Sequence, residues 1–288
     1  MAENHKRQRV GQVKEITSLA NPVIKDIRAL AQKKRRDETG TFLAEGRKLV
    51  IDALELGWQI RTLIYAKALR GQPQVEAIAA KTVARGGLVL EVSEKVLTAI
   101  TRRDNPQAVI GVFDQQYSPL DAAEMGANDT WVALDRVRDP GNLGTIVRTA
   151  DAAGVRRIVL VGETVDPFSM EAVRATMGSI FAVSLSRASA AELLAWHRTS
   201  GAQLVGSHLA GSSDYRSIDY AGRPQVLLMG NEQAGLPEGL ARACDRLARI
   251  PQAGRADSLN LAIATGLMIF EARRHLLSLD VTEADVSR

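Results

Sequence analysis

Three widely separated stretches place polar side chains where apolar, strand-like runs end. In the first, the turn Asp139-Pro140-Gly141 follows the run 131–134 and leads to Asn142, a residue type suited to cap a helix. Leu143, Ile146, Val147 and Ala150 then form a buried stripe at helical spacing, and Arg148 lies about 100° from its centre, so it projects from the flank. In the second, the run 226–229 ends at Gly230, where the lack of a side chain lets a ligand approach the backbone. Asn231 and Glu232 follow, where a doubly wound sheet presents its ligand. In the third, Asp257 or Ser258 can cap a helix that runs apolar on nearly every side to Phe270, a pattern that predicts burial all round. Asn260, in its first turn, therefore needs polar partners. Taken singly, each stretch also fits an ordinary strand–turn–helix junction.

Several chemistries are excluded. No G-x-G triplet and no Gly-Lys dipeptide occurs among 23 glycines, which removes the dinucleotide fingerprint and the P-loop. His5, His197, His208 and His275 have no metal-motif spacing, and one cysteine, Cys244, cannot build a cysteine-based zinc site or a disulfide framework. No metal is expected. The nucleophile elbow G-x-S-x-G is missing.

The elements that must position these stretches read as α/β throughout. In the first half, helices are predicted over 22–36, 45–56, 74–85 and 94–100, and strands over 42–44, 59–66, 88–92 and 108–113. In the second, strands at 131–134, 158–161, 181–185, 203–207 and 226–229 alternate with helices, which argues for a mostly parallel sheet with sites at its carboxyl ends. The polar stretch 116–129, with Pro119 and Gly126, reads as a linker between a domain over 15–115 and one over 130–288. Residues 1–14 read as a basic tail. At 288 residues, with 45% hydrophobic and 24% charged, the chain suits two domains with real cores. The start has no apolar segment of a secretory signal, and no run is long enough to span a membrane, so a reducing, cytoplasmic setting is expected. A net charge of +4 leans weakly toward a polyanionic partner.

In order and spacing, the three stretches together resemble the sequence motifs of the SpoU/TrmH family of RNA ribose 2′-O-methyltransferases, within the SPOUT class. The matching text is Asp139-Pro140-Gly141-Asn142-Leu143-Gly144 with Arg148, then Gly230-Asn231-Glu232, then Ile250-Pro251 with Ser258-Leu259-Asn260. It covers about 130–277, and Val173-Arg174-Ala175-Thr176-Met177-Gly178-Ser179 is similar to the family's intervening helix. In the first half, Phe42-Leu43-Ala44-Glu45-Gly46-Arg47 with Ala53-Leu54, and Asn105-Pro106-Gln107-Ala108-Val109-Ile110, resemble the substrate-binding domain of many rRNA-directed members, itself similar to a ribosomal-protein RNA-binding fold. The family often has Gly where Ala108 stands.

The resemblance implies a SPOUT-type, mostly parallel sheet with a deep trefoil knot, preceded by a smaller α/β RNA-binding domain. It implies a homodimer that uses S-adenosylmethionine, most directly on 23S rRNA. The rivals are the same reaction on tRNA, and a non-catalytic RNA-binding or assembly factor that kept the fold. S-adenosylmethionine has no phosphate, so the missing glycine triplets are consistent with it. By motif matching, Gly230, Ile250 and Leu259 contact the cofactor, with Met229, Asn231 and Pro251 adjacent. The counterpart of Arg148 activates the ribose hydroxyl. A guanidinium has no acceptor atom and stays protonated, so a phosphate clamp that steadies charge on O2′ fits it better than a base. Asn142 is expected to orient the arginine or ribose, Glu232 to pair with an arginine, within the chain or across a dimer interface, and Ser258 and Asn260 to fix the target nucleotide. RNA binding is expected from Lys33, Lys34, Arg35, Arg36, Arg47, Lys48, Arg102 and Arg103. With only 4% aromatics, recognition of folded RNA shape fits better than base stacking.

Overall fold

Asn21 accepts a hydrogen bond from the Val23 amide and Pro22 follows it, so α1 (Pro22–Ala29) begins where the sequence signals a start. The pattern predicts one helix over 22–36, but the chain breaks after Leu30 and restarts as α2 (Lys33–Thr39). The break frees the Leu30 carbonyl, and the buried Arg36 guanidinium donates to it at 2.7 Å. Gly40, left-handed at φ 62°, ends α2 and donates its N–H to the Arg36 carbonyl. The computed structural model describes residues 11–120 and 125–279. Positions 1–10 of the expected tail and 121–124 of the expected linker lie outside the described residues.

The described residues form two units. The first comprises the chain through Gln115 together with Phe168–Phe181. Its strands β1 (Gln12–Ile16), β2 (Thr41–Glu45), β3 (Ile60–Ala66), β4 (Leu88–Val92) and β5 (Val109–Asp114) make a sheet ordered β1-β4-β3-β5-β2. β1, β4 and β3 run parallel, and β5 is antiparallel to both its neighbours. The tail expected to reach residue 14 therefore stops short of β1, whose exposed polar face hides its strand character while its backbone pairs with β4. After α3 (Arg47–Glu55) and α4 (Pro73–Ala84) comes α5 (Glu94–Thr101), which with α1 covers one face of the sheet, burying Ile24, Ile27, Val96, Leu97 and Ile100 against Leu43, Ile64, Leu90 and Ile110.

Phe168–Phe181 leaves the second half of the sequence and packs in this first unit. Phe168 stacks on Phe42 at 4.7 Å between ring centroids, and Phe181 lies 4.8 Å from Phe113 and 5.1 Å from Trp58. The Trp58 indole donates to the Phe181 carbonyl at 2.9 Å. Four of the chain's five phenylalanines thus share one cluster, which concentrates a sparse aromatic content where the segment is held. In the helix of this segment, Arg174 donates to the buried Glu45 carboxylate and, at 2.8 Å, to the Thr101 carbonyl. The strand predicted at 181–185 is displaced accordingly: Phe181 sits in a short 3₁₀ turn among these rings.

The second unit holds β6 (Thr130–Asp135), β7 (Arg157–Val161), β8 (Ser184–Ala188), β9 (Gln203–Ser207), β10 (Ser213–Asp214), β11 (Gln225–Met229) and β12 (Arg246–Arg249). They form an all-parallel sheet ordered β10-β12-β9-β11-β6-β7-β8. β6, β7 and β11 are buried along their whole length, as a parallel sheet covered on both faces requires. From β6 the chain steps outward through β7 and β8, then returns to the other side through β9. The direction of winding reverses between β6 and β11, and such a switch point opens a crevice at the carboxyl ends. Among the described residues, no helix is long and apolar enough to cross a membrane.

Two helices border that crevice, and both start elsewhere than expected. α6 (Pro140–Ala152) is capped by Asp139, which accepts from the Asn142 amide at 2.6 Å, so the Asn142 side chain is free for other work. The later helix, Leu261–Arg273, is capped by Asn260 rather than Asp257 or Ser258; its side-chain oxygen takes the Ala262 and Ile263 amides. Nor is this helix buried all round. Met268, Ile269 and Ala272 are buried, while Ile263, Leu267 and Phe270 leave an apolar stripe exposed. Cys244 donates to the Leu240 carbonyl, and burial pushes its thiol up to about 12, which makes it a poor nucleophile.

Candidate active site

The loops after β6 and β11 meet across the switch point. Asn142, in the first turn of α6, donates to the Glu232 carboxylate at 3.4 Å and accepts from the Asn260 amide at 2.9 Å. Three residues far apart in sequence thus form one polar array. The same carboxylate faces the backbone amides of Arg138 and Asp139 at 3.3–3.4 Å. Within this chain Glu232 balances the N–H groups of the loop that opens α6. A carboxylate is favoured beside such amides at a helix start. A polar recess of about 350 Å³ is lined by Arg138, Asp139, Asn142, Glu232, Gln233 and Asn260.

A second cavity, about 340 Å³, lies at the carboxyl ends of the adjacent strands β9, β11 and β12. Met229, Gly230, Asn231, Ile250 and Leu259 line it, with Ser258, Leu261, His208 and Leu209. Glu232 and Gln233 line both spaces, so the cavity and the polar recess share a wall. Gly230 lines this cavity, and the turn itself also requires a glycine there. A Cβ there would run into the Gly235 carbonyl carbon and the Leu236 nitrogen, because the turn doubles back on itself. Pro251, expected beside the cofactor, is exposed and lines a neighbouring depression with Tyr215 and Leu267. Asn231 faces the cavity, but its side-chain amide is committed to backbone groups and to the Glu232 carboxylate. Ser258 lines the cofactor-sized cavity rather than the polar recess.

Arg148 is exposed on α6, and among the described residues no hydrogen bond or ion pair engages it. It lies beyond the residues that line the two spaces, one and a half turns along the helix from Asn142. Sequence reasoning missed Arg138, Gln233, His208, Leu209, Arg249 and Asp257, which also line these spaces. His208 and Leu209 follow β9 without any motif, and only their place after a strand could have flagged them.

The basic positions in the first unit divide sharply. Arg36 is buried on the Leu30 carbonyl and is a structural residue, which corrects its expected role in RNA binding. Lys33 pairs with Asp37, Arg35 with Asp26 and Glu38, and Lys48 with Asp52, so much of their charge is met internally. Lys34, Arg47, Arg102 and Arg103 are exposed and carry no ion pair among the described residues. Among the described residues, Arg47 makes a single long contact, 3.4 Å, to Gln72.

A ligand cavity beside a polar array, at the reversal of a parallel sheet, defines an α/β protein that holds a small molecule next to a polar partner. Residues 129–270 match the SpoU rRNA Methylase family, and residues 21–111 match the MRM3-like substrate binding domain. The chain is 31% identical over 261 residues to the 23S rRNA (guanosine(2553)-2′-O)-methyltransferase RlmP of Bacillus subtilis (strain 168), spanning 91% of this chain and 100% of that protein. It is 32% identical over 264 residues to the 23S rRNA (uridine(2479)-2′-O)-methyltransferase of Streptomyces viridochromogenes, spanning 86% and 88%. The AdoMet-bound rRNA methyltransferase from Sinorhizobium meliloti superposes with a TM-score of 0.88 at 69% identity, over 93% of this chain and 100% of that one. The chain belongs to the SpoU rRNA methylase family.

Proposed function

We propose that this chain transfers a methyl group from S-adenosylmethionine to a ribose 2′-oxygen of 23S rRNA. The observation that carries this reading is the shared wall between the cavity at β9, β11 and β12 and the Asn142–Glu232–Asn260 array. The cavity's size falls in the usual range for small-ligand sites of roughly 300–1,000 Å³. Its backbone turns and the side chains of Met229, Ile250, Leu259 and Leu261 suit an adenosine that brings no phosphate. When bound, the donor supplies an electrophilic methyl carbon on a sulfonium.

Positioning dominates such a transfer. Asn142 and Asn260 orient the ribose at the recess, and Ser258 holds the nucleotide from the cavity side. Glu232 keeps the α6 loop in place. Arg148 clamps the adjacent phosphate and steadies negative charge as O2′ loses its proton. The residues 15–115 supply RNA binding and join through 116–129 to a catalytic domain over 130–288, tied by the family's trefoil knot. The enzyme works in the cytoplasm.

The test is tritiated methyl transfer to unmodified 23S rRNA, with ribose methylation mapped in cells with and without the protein. A 2′-O mark on 23S rRNA that depends on the chain is expected. Label found only in tRNA would overturn the substrate, and donor binding without transfer would make the chain a non-catalytic RNA-binding factor.

Two further outcomes are expected. Replacing Lys34, Arg47, Arg102 and Arg103 by glutamine should flatten the dependence of RNA affinity on salt, by roughly 0.7–0.9 in log–log slope for each phosphate no longer neutralised. Replacing the internally paired Lys33 and Arg35 should change it less. Filter binding across a salt series reads both, and equal slopes in all three proteins would count against this surface. Second, the exposed stripe Ile263, Leu267 and Phe270 supports a homodimer through this helix. Light scattering should give twice the chain mass for the native protein and the chain mass for Phe270→Glu. A monomeric native protein would overturn the dimer.

A further inference from the structure

We propose that Asn231 is a positioning residue: it locks the loop that opens α6 onto the turn after β11 by holding the Arg136 peptide. The inference rests on the methyltransferase reading above and adds a role that the motif match does not supply. Asn231 is 7% exposed. Its side-chain Nδ2 donates to the Arg136 carbonyl at 2.7 Å, and its Oδ1 accepts from the Gln233 and Ala234 amides at 3.0 and 3.1 Å. Its backbone exchanges both hydrogen bonds with Gly235, closing the turn. A short polar side chain so fully engaged has little capacity left for a ligand.

What it holds is unusual. Arg136 is a non-glycine residue in left-handed conformation, φ 47°, a state that costs energy and persists only where its surroundings fix it. Three contacts fix it. Its amide donates to the Val161 carbonyl at 2.9 Å, which extends the β6–β7 ladder. Its guanidinium donates twice to the buried Asp135 carboxylate, at 2.9 and 2.8 Å. Its carbonyl is met by Asn231. The chain then turns so that the Arg138 and Asp139 amides face Glu232 and Asp139 caps α6. Asn231 therefore sets the direction in which the Asn142 side chain enters the recess.

Asparagine serves two ends at once, and Asn231→Asp separates them. Aspartate keeps the acceptor that folds the turn, but it loses the donor to Arg136 and places negative charge beside Glu232, now 3.4 Å from the amide nitrogen. The expected result is turnover lower by on the order of 10²-fold, as for a misplacement of reacting groups by about 1 Å. S-adenosylmethionine affinity by calorimetry and the KM for RNA should stay unchanged. Asn231→Ala, which removes both ends, should weaken donor binding as well. Native turnover in Asn231→Asp would overturn the proposal. So would a parallel loss of turnover and donor affinity in that variant, since that would mean the residue only folds the turn or binds the donor. An inactive native enzyme would sink the methyltransferase reading itself, which keeps the two failures distinct.

Discussion

Replacing Arg148 by alanine is expected to lower turnover by about 10²- to 10³-fold while donor binding stays at the native level, the loss seen when one stabilising donor is removed from a developing oxyanion. The variant should fold normally. α6 is held by Leu143, Ile146, Val147 and Ala150 on its buried side, and Arg148 is exposed, without an ion pair among the described residues. A cation that stabilises nothing inside the protein is free to serve a ligand. The guanidinium offers a rigid fork of donors and no acceptor, so its effect should be on charge and orientation. Arg148→Lys, which keeps the charge and loses the fork, should fall between the two. Single-turnover transfer at saturating RNA, alongside calorimetry with the donor, measures both quantities. Turnover within a few-fold of native in Arg148→Ala would remove the arginine from the reaction.

The second large effect is on stability. Arg174→Met should destabilise the first unit by about 3 kcal/mol, because it leaves the Glu45 carboxylate buried without its cation. Glu45 has a side chain only 4% exposed, and Arg174 is 30% exposed, so solvent screens the pair little. Among the described residues, one Glu45 oxygen and the Arg174 Nε lack partners, so no second donor there already meets the carboxylate's other oxygen. Urea unfolding followed by tryptophan fluorescence reads the change, since Trp58 lies against Phe181 of the same segment. Adding Glu45→Gln should restore most of the loss by removing the stranded charge. A shift below about 1 kcal/mol in Arg174→Met would place the pair with ordinary surface ion pairs.

Elements that are apolar runs between turn residues were readable from sequence alone. Leu88–Val92 and Gln203–Ser207 form over the residues expected, because each has a buried apolar centre bounded by turn residues. β10 and β12 were not readable. Each is short, and β12 has only two apolar residues, Leu247 and Ala248, between two arginines. The helix starts were misplaced for a related reason. Asp139 and Asn142, or Ser258 and Asn260, are all good capping types, and only the tertiary contacts between Asn142, Glu232 and Asn260 select among them. The polar array was legible because amides and a carboxylate at strand ends have few structural reasons to be there. Arg36 was not, since a run of four basic residues does not reveal which one turns inward. The departure of Phe168–Phe181 to the first unit leaves no local trace, because its cause is the rings of Phe42, Trp58 and Phe113, far away in the chain.

That excursion bears on how such enzymes could exchange recognition specificity. A recombination that joined a foreign front half at Gln115 would strand Phe168 and Phe181 without the rings they nest among. The front half is thus no detachable cassette. Any viable graft, natural or engineered, must import the internal loop together with its host, and lineages that inherit one are expected to inherit both.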